Sequence, residues 1–109
     1  MMAARAGAAA VITCEVVPAI AEKAAEIVAQ NGYGDLVHVI AKHSDQLDAE
    51  ADMGGRADIL VSEIVSSNLL GEKILAAHER AVRDLLKPGA QHQPHAALVA
   101  RPPLSRLSR

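Results

Sequence analysis

The chain has 109 residues, half of them hydrophobic, which suffices for one domain or part of one. It contains one tyrosine and neither phenylalanine nor tryptophan, so Ala, Val, Ile and Leu must build the core. A net charge of −2 argues against a general nucleic-acid-binding protein. The single cysteine excludes an internal disulfide and favours a reducing location, cytoplasmic and/or nuclear. No segment is long and apolar enough to span a membrane.

The first half of the sequence predicts a strand, a helix and a second strand. Residues 10–15 form a short apolar run that ends in an acid. Pro18 suits the first turn of the following helix, and Asn31-Gly32 suits its end. One helical face is predicted to carry Ile20, Ala24, Ile27 and Val28. The apolar run 36–40 predicts a strand that is covered on both faces.

The second half predicts a surface loop, a strand and a long helix. Residues 45–56 are polar and contain glycine, and the apolar run 57–61 predicts a buried parallel strand. A helix is predicted from about residue 71 to residue 86, with Lys87-Pro88-Gly89 as its stop signal. Its apolar side is predicted to carry Ile74, Leu75, His78, Val82 and Leu85.

The end of the sequence predicts one more strand and a tail. Residues 96–100 favour a strand, and residues 101–109 are basic, contain two prolines and are expected to be disordered. The alternation of strands with helix-sized spacers predicts an α/β fold with a mostly parallel sheet.

Two acids, Glu63 and Glu72, bracket a short segment that follows the predicted strand 57–61. Ligands bind beyond the carboxyl ends of strands in open α/β sheets, so two acids placed there could converge on one cation. A guanidinium is the natural partner, because its planar fork of N–H donors fits carboxylates. The alternative is a solvated acid at a strand end and an acid favoured by a helix dipole.

Three other polar residues follow the first two strands. Glu15 stands where nucleotide-binding folds place an acid that accepts hydrogen bonds from ribose hydroxyls. That role requires a glycine-rich turn after an earlier strand, and this sequence contains none, so a solvated acid is the alternative. Ser44 and Asp45 stand where a further nucleotide contact is commonly made, although polar loop residues are frequent for other reasons.

Several of these motifs, in this order and spacing, resemble the protein arginine N-methyltransferase family. The segment from Ser62-Glu63 to Gly71-Glu72 is similar to the family's double-glutamate loop. Residues 1–8 resemble the helix after its glycine-rich cofactor loop, Cys14-Glu15 its ribose-binding acid motif, and Lys42-His43-Ser44 its segment beside the adenine. The resemblance covers residues 1 to about 100 and points to the subtype with two tandem cores that makes monomethylarginine.

The resemblance implies methyl transfer from S-adenosylmethionine to an arginine of a protein substrate. Glu63 and Glu72 would be the catalytic residues, clamping the guanidinium and drawing positive charge away from the attacking nitrogen. Glu15, Ser44 and Asp45 would bind the cofactor. No metal, membrane or specific nucleic-acid partner is implied.

The sequence also departs from the family pattern. The glycine-rich loop and the strand before it are absent, and in this fold that strand is the middle of the sheet. We therefore expect residues 1–100 to form an incomplete Rossmann-like class I methyltransferase core, inactive alone, with residues 101–109 as a tail. Loss of the middle strand is expected to leave two strands without their shared neighbour and to favour self-association through unpaired edges.

Other functions are consistent with parts of the sequence. A nicotinamide-dependent oxidoreductase could use Glu15 on a ribose, but hydride transfer gives no reason for two converging acids. A non-catalytic remnant or interaction module could retain the sheet and bind no cofactor. His92 and His95 are weak metal candidates, because neither cysteine nor acid completes a ligand set beside them.

Overall fold

Five strands form one sheet in the computed structural model, which describes residues 1–62, 72–93 and 98–101 of the chain. The described elements are α1 (Met2–Arg5), β1 (Ala10–Cys14), α2 (Pro18–Gln30), β2 (Val37–Ile40), β3 (Ala57–Val61), α3 (Glu72–Arg80), β4 (Leu86–Gln93) and β5 (Leu98–Arg101). A 3₁₀ turn at Ser44–Gln46 follows β2, and a π-helical turn at Ala81–Leu85 continues α3.

The sheet has the strand order β2-β1-β5-β3-β4. Strands β1 and β2 pair in parallel, β3 and β4 pair in parallel, and β5 runs antiparallel to both β1 and β3. Four of the five strands therefore point the same way, which confirms the predicted α/β fold with a mostly parallel sheet. The carboxyl ends of β1, β2 and β3 consequently lie along one edge of the sheet, where ligands bind in such folds.

Strand β5 lies between β1 and β3, where the sequence predicted a missing neighbour. Val99 pairs with Ile12 on one side and with Leu60 on the other. The expectation that these strands lack a shared neighbour is therefore wrong, because the chain's own later segment supplies one. The edge strands of the described sheet are β2 and β4, so the predicted unpaired edges of β1 and β3 give no support to self-association.

Backbone hydrogen bonds cap the carboxyl ends of the two helices in the first half of the chain. After α1, Gly7 has a φ of 100° and donates to Ala4, while Ala8 donates to Ala3. After α2, Gly32 has a φ of 79° and donates to Ala29, while Tyr33 donates to Val28. These two helix ends need the left-handed conformation that glycine adopts without steric cost, and the sequence predicted the one at Gly32.

Each face of the sheet carries an apolar cluster. Val11 and Ile12 are adjacent on β1, so they point to opposite faces and belong to different clusters. The first cluster lies against α1 and α2 and comprises Ala4, Val11, Val28 and Val37. The second includes the end of the α3 segment and comprises Ile12, Leu47, Ala57, Leu60, Ala81, Leu85 and Leu86.

The helix faces differ in part from the predicted ones. In α2, Val28 is buried as predicted, but Ala21 accompanies it and Ile20 is 54% exposed. In the α3 segment Leu85 is buried beside Ala81, whereas Leu75 is 60% exposed. In both helical segments a small alanine is buried while a larger apolar residue is exposed.

Residues 87–89 follow the end of the helical segment, as predicted, but they also belong to a strand. The helical segment ends at Leu85, but Leu86 begins β4, a strand that the sequence analysis missed. The register shifts between Ala57 paired with Leu86 and Ile59 paired with Gln91, so Pro88 and Gly89 lie in an irregular part of the strand. Bulges accommodate both residue types because Pro lacks a donor and Gly89 takes a φ of 76°.

Arg101 is the last residue of β5, and residues 102–109, the rest of the predicted tail, lie outside the described residues. The predicted strand 96–100 corresponds to β5 at Leu98–Arg101. Within the described ranges, no helix is long and apolar enough to cross a membrane.

Candidate functional site

A pocket of about 60 Å³ opens at the carboxyl ends of β1 and β3. It is lined by Ile12, Thr13, Cys14, Ser44, Leu47, Leu60, Ser62, Ala77, His78, Ala81 and Leu85. Strands β1 and β3 form one wall, the turn after β2 forms a second, and α3 with its π-helical turn forms a third. We call this the inner pocket. Its place agrees with the rule that ligands bind beyond the strand ends of α/β sheets.

The inner pocket is mostly apolar. Its described lining includes the polar residues Thr13, Ser44, Ser62 and His78, but neither lysine nor arginine. Burial, reinforced by the neighbouring charge of Glu15, raises the pKa of the Cys14 thiol, against a lowering effect of a backbone hydrogen bond. The cysteine is therefore a neutral thiol near pH 7. Such a lining suits an uncharged, partly apolar group better than a phosphate.

Glu15 follows the inner pocket's Cys14 directly and is half-buried. Its backbone N–H donates to the Ile40 carbonyl at 3.0 Å, which extends the β1–β2 pairing by one residue. Its carboxylate Oε1 accepts a hydrogen bond from the Val17 N–H at 3.1 Å, just before α2. The side chain is thus held at the strand end, beside the inner pocket rather than in its lining.

Ser44 and Asp45 separate in the structure although they are neighbours in sequence. Ser44 is half-buried and lines the inner pocket. Asp45 is exposed, and its carboxylate lies 3.4 Å from Nδ1 of His43, the atom that accepts a hydrogen bond from the Asp45 N–H. Of the two, only Ser44 is among the pocket-lining residues.

The structure describes only one of the two glutamates of the predicted catalytic pair. Glu63 lies outside the described residues, while the preceding Ser62 is 9% exposed and lines the inner pocket. Glu72 is the first residue of α3, whose next turns contribute Ala77 and His78 to the pocket. The residue before Glu63 and the helix that Glu72 begins therefore both contribute to the pocket.

No group of three or more potential ligands that could hold a metal ion occurs in the part of the chain that the structure describes. His92 belongs to β4, and His95 lies outside the described residues. The histidine pair therefore remains a weak prediction from the sequence.

Sequence reasoning missed three contributors to this site. Thr13 and Ser62 stand at strand ends, so the strand-end rule could have identified them. His78 was interpreted as a packed helix residue, and it is half-buried but lines the inner pocket. No sequence signal indicates this, because it depends on how α3 lies across the sheet.

Comparison with known proteins identifies relatives over most of the chain. An arginine N(omega)-methyltransferase of Streptomyces achromogenes subsp. streptozoticus is 46% identical over 97 residues, 89% of this chain and 27% of the relative. Protein arginine N-methyltransferase 7 of Gallus gallus is 42% identical over 101 residues, 91% of this chain and 15% of the relative. The protein of the same name from Aedes aegypti is 38% identical over an equal span. No protein-family model matches the sequence.

The chain thus spans about a quarter of the bacterial relative and about a seventh of the animal ones. Identity of this level over nearly the whole chain supports the family resemblance that the sequence indicated. Over the segment that it shares with these relatives, the chain is related to a part of the arginine N-methyltransferases.

Proposed function

We propose that this chain forms the adenosine-binding and arginine-binding part of an S-adenosylmethionine-dependent protein arginine N-methyltransferase. The observation that carries the proposal is the 46% identity to an arginine N(omega)-methyltransferase over 89% of the chain. The inner pocket supports it, because an apolar pocket beside an acid suits an uncharged heterocycle and its ribose.

The donor set of the pocket favours a nucleoside over a dinucleotide. A pyrophosphate needs cationic side chains or a glycine-rich turn at a helix N-terminus. Neither lysine nor arginine is among the described lining residues. The described lining therefore offers a phosphate no such cationic partner, whereas the adenosine of S-adenosylmethionine carries no phosphate.

Each proposed cofactor residue has a defined task. Glu15 would accept hydrogen bonds from the ribose hydroxyls, and Ser44 would contact the base from the turn after β2. Asp45 stands at the exposed end of that turn, so its contact requires the ligand to extend beyond the inner pocket. A volume of about 60 Å³ is well below the several hundred Å³ of complete ligand sites. The pocket would therefore enclose only one part of the cofactor.

Glu63 and Glu72 are proposed to act on the substrate. When bound, S-adenosylmethionine would supply an electrophilic methyl group on its sulfonium. The two carboxylates would accept hydrogen bonds from the guanidinium of a substrate arginine and hold it in one orientation. They would also draw positive charge towards two of its nitrogens, which leaves more electron density on the third.

Titration calorimetry of the chain with S-adenosylhomocysteine tests the cofactor site, with circular dichroism as the measure of folding. We expect binding that Glu15→Gln weakens about tenfold or more, because hydrogen bonds to a charged group contribute about 1.5–3 kcal/mol. Glu22→Gln is the matched control, since Glu22 is exposed on α2. A folded chain that does not bind would instead favour the non-catalytic interaction module.

The substrate site is tested in a complete catalytic core that carries this segment. Glu63→Gln and Glu72→Gln are each expected to abolish methylation of an arginine peptide while S-adenosylhomocysteine still binds. Unchanged methylation by both variants would refute the catalytic assignment.

A further inference from the structure

Arg80, at the end of α3, joins this helix to the turn after β2. Its Nη1 donates to the Ser44 carbonyl at 2.6 Å, and its Nη2 donates to the Leu47 carbonyl at 3.1 Å. The side chain is 25% exposed, and its Nε lies 3.5 Å from a carboxylate oxygen of Asp84. One guanidinium thus spans the first and last carbonyls of a single turn.

This contact is strong and specific to arginine. Hydrogen bonds from a charged donor are roughly twice as strong as neutral ones, and arginine keeps its charge at any ordinary pH. Its rigid fork reaches two acceptors at once, whereas a lysine ammonium is a point charge on a flexible stem. Arg80 therefore fixes the turn relative to α3 in a way that lysine cannot reproduce.

The joined parts are two walls of the inner pocket. Ser44 and Leu47 line it from the turn, while Ala77 and Ala81 line it from the helical segment. Arg80 itself does not line the inner pocket. Its side chain belongs instead to a separate polar cavity of about 380 Å³, with Leu47, Asp48, Ala49, Glu50, Arg56 and Asp84.

We propose that Arg80 is a positioning residue for cofactor binding, which sets the distance between the Ser44 turn and α3 from outside the pocket. The inference rests on the proposed function, since it assigns the inner pocket to the adenosine part of the cofactor. Loss of the guanidinium would let the turn move away from the helix and would lower affinity without removing any group that touches the ligand.

Arg56 provides a matched comparison. Its Nη1 donates to the Arg83 carbonyl at 2.8 Å and to the Leu86 carbonyl at 2.9 Å, so it also binds two backbone carbonyls, one in the π-helical turn and one at the start of β4. These carbonyls lie far in sequence from the Ser44 turn, and neither Arg83 nor Leu86 lines the inner pocket. Arg56→Ala therefore removes a similar contact without releasing the Ser44 turn.

The test measures S-adenosylhomocysteine affinity and thermal stability of the full chain in Arg80→Ala, Arg80→Lys and Arg56→Ala. Both Arg80 variants are expected to bind about tenfold more weakly or worse, since each loses charge-assisted hydrogen bonds that hold the turn. Arg56→Ala is expected to lose stability and keep its affinity. Affinity that is unchanged in Arg80→Ala, or equally reduced in Arg56→Ala, would overturn the positioning role.

A second measurement separates this inference from the proposed function. If the unmodified chain does not bind S-adenosylhomocysteine, the proposed cofactor site fails, and hydrogen exchange then decides the role of Arg80. The Gln46 and Leu47 amides donate within the turn, to the carbonyls of His43 and Ser44. Faster exchange at these amides in Arg80→Ala but not in Arg56→Ala supports positioning of the turn, and equal exchange in all variants refutes it.

Discussion

In the β1–β2 half of the sheet, backbone hydrogen bonds between residues close in sequence form the ends of the helices. In the β3–β4 half, arginine side chains bind carbonyls of residues that are far away in sequence. In the first half, Gly7 and Gly32 close α1 and α2 through donors and acceptors within five residues. In the second half, Arg56 and Arg80 reach carbonyls between 27 and 36 residues away. The first half is therefore encoded locally, and the second depends on the assembled fold.

The buried residues show the same difference. Small side chains such as Ala4 and Val11 form the cluster of the first half, while Leu85 and Leu86 belong to the other cluster. That second cluster also contains Ile12 and Leu47, which come from the first part of the chain. It therefore joins the two halves, together with β5 and Arg80.

Leu86→Ala should give the largest effect, because this side chain is 1% exposed in the cluster that joins the halves. Removing a buried leucine costs about 2–5 kcal/mol, from lost burial and the cavity that remains. Urea unfolding measures the loss, and Leu75→Ala, at a site that is 60% exposed, is the control expected to change little. Equal effects of the two variants would mean that this cluster does not stabilise the β3–β4 half of the sheet.

Val99→Pro tests whether β5 holds the halves together. The substitution removes a backbone donor from the middle of the sheet and leaves an acceptor on β1 or β3 unpaired, at a cost of about 1–3 kcal/mol. Hydrogen exchange is expected to become faster in both β1 and β3. Val99→Thr keeps the donor and serves as the control, and faster exchange confined to one strand would contradict the bridging role.

Gly32→Ala should cost about 1 kcal/mol, because the α2 end requires a φ of 79° at this position. A Cβ there would meet no atom within 4 Å, so backbone strain alone causes the loss. Gly34→Ala is the matched control, since its φ is not positive and its Cβ would meet Ala29 at ordinary contact distance. Thermal unfolding should separate the two variants, and equal stability would argue against local encoding of this turn.

The smallest effect concerns the loop that leads from the first half to the second. Hydrogen bonding to Lys42, at 2.8 and 2.9 Å, is the main cause that holds the pKa of Asp52 below its ordinary value of 3.8. The native state therefore binds this proton less readily than the unfolded chain. The resulting stability is present above about pH 4 and is lost as the pH falls through the lowered pKa.

Urea unfolding at several acidic pH values measures this contribution. Asp52→Asn and Lys42→Met should each flatten the acid side of the profile, because each removes one partner of the same contact. A profile that keeps its slope in both variants would show that the loop contributes no pH dependence.

Part of the fold and site followed from local sequence signals. The apolar runs, Pro18 and the glycine after α2 located β1, α2, β2 and β3 to within a residue or two, because these signals act between near neighbours. The acid at Glu15 and the hydroxyl at Ser44 were found from their places after strands. The double-glutamate segment supplied the family resemblance, while the proposed roles of Glu63 and Glu72 still await the substitutions described above.

The rest was decided by contacts between distant segments. The sequence gives Leu98–Arg101 strand character, but its antiparallel place between β1 and β3 depends on which backbone donors and acceptors remain unpaired. The strand at Leu86–Gln93 was not predicted because Pro88 and Gly89 are typical of turns. In the structure these two residues lie in the irregular part of the pairing between β3 and β4. In α2 and in the segment that begins with α3, composition marks an apolar side, but packing in the folded chain decides which of its residues are buried.

The sequence by itself thus determined most of the elements, the parallel direction of β1, β2 and β3, and the family resemblance, because hydrophobic period, caps and motif spacing are local properties. Only the tertiary structure brought Ser44, Ser62 and His78 to one pocket and set Arg80 behind it. Three segments far apart in the chain meet there, and their meeting depends on sheet order and helix packing rather than on any local preference.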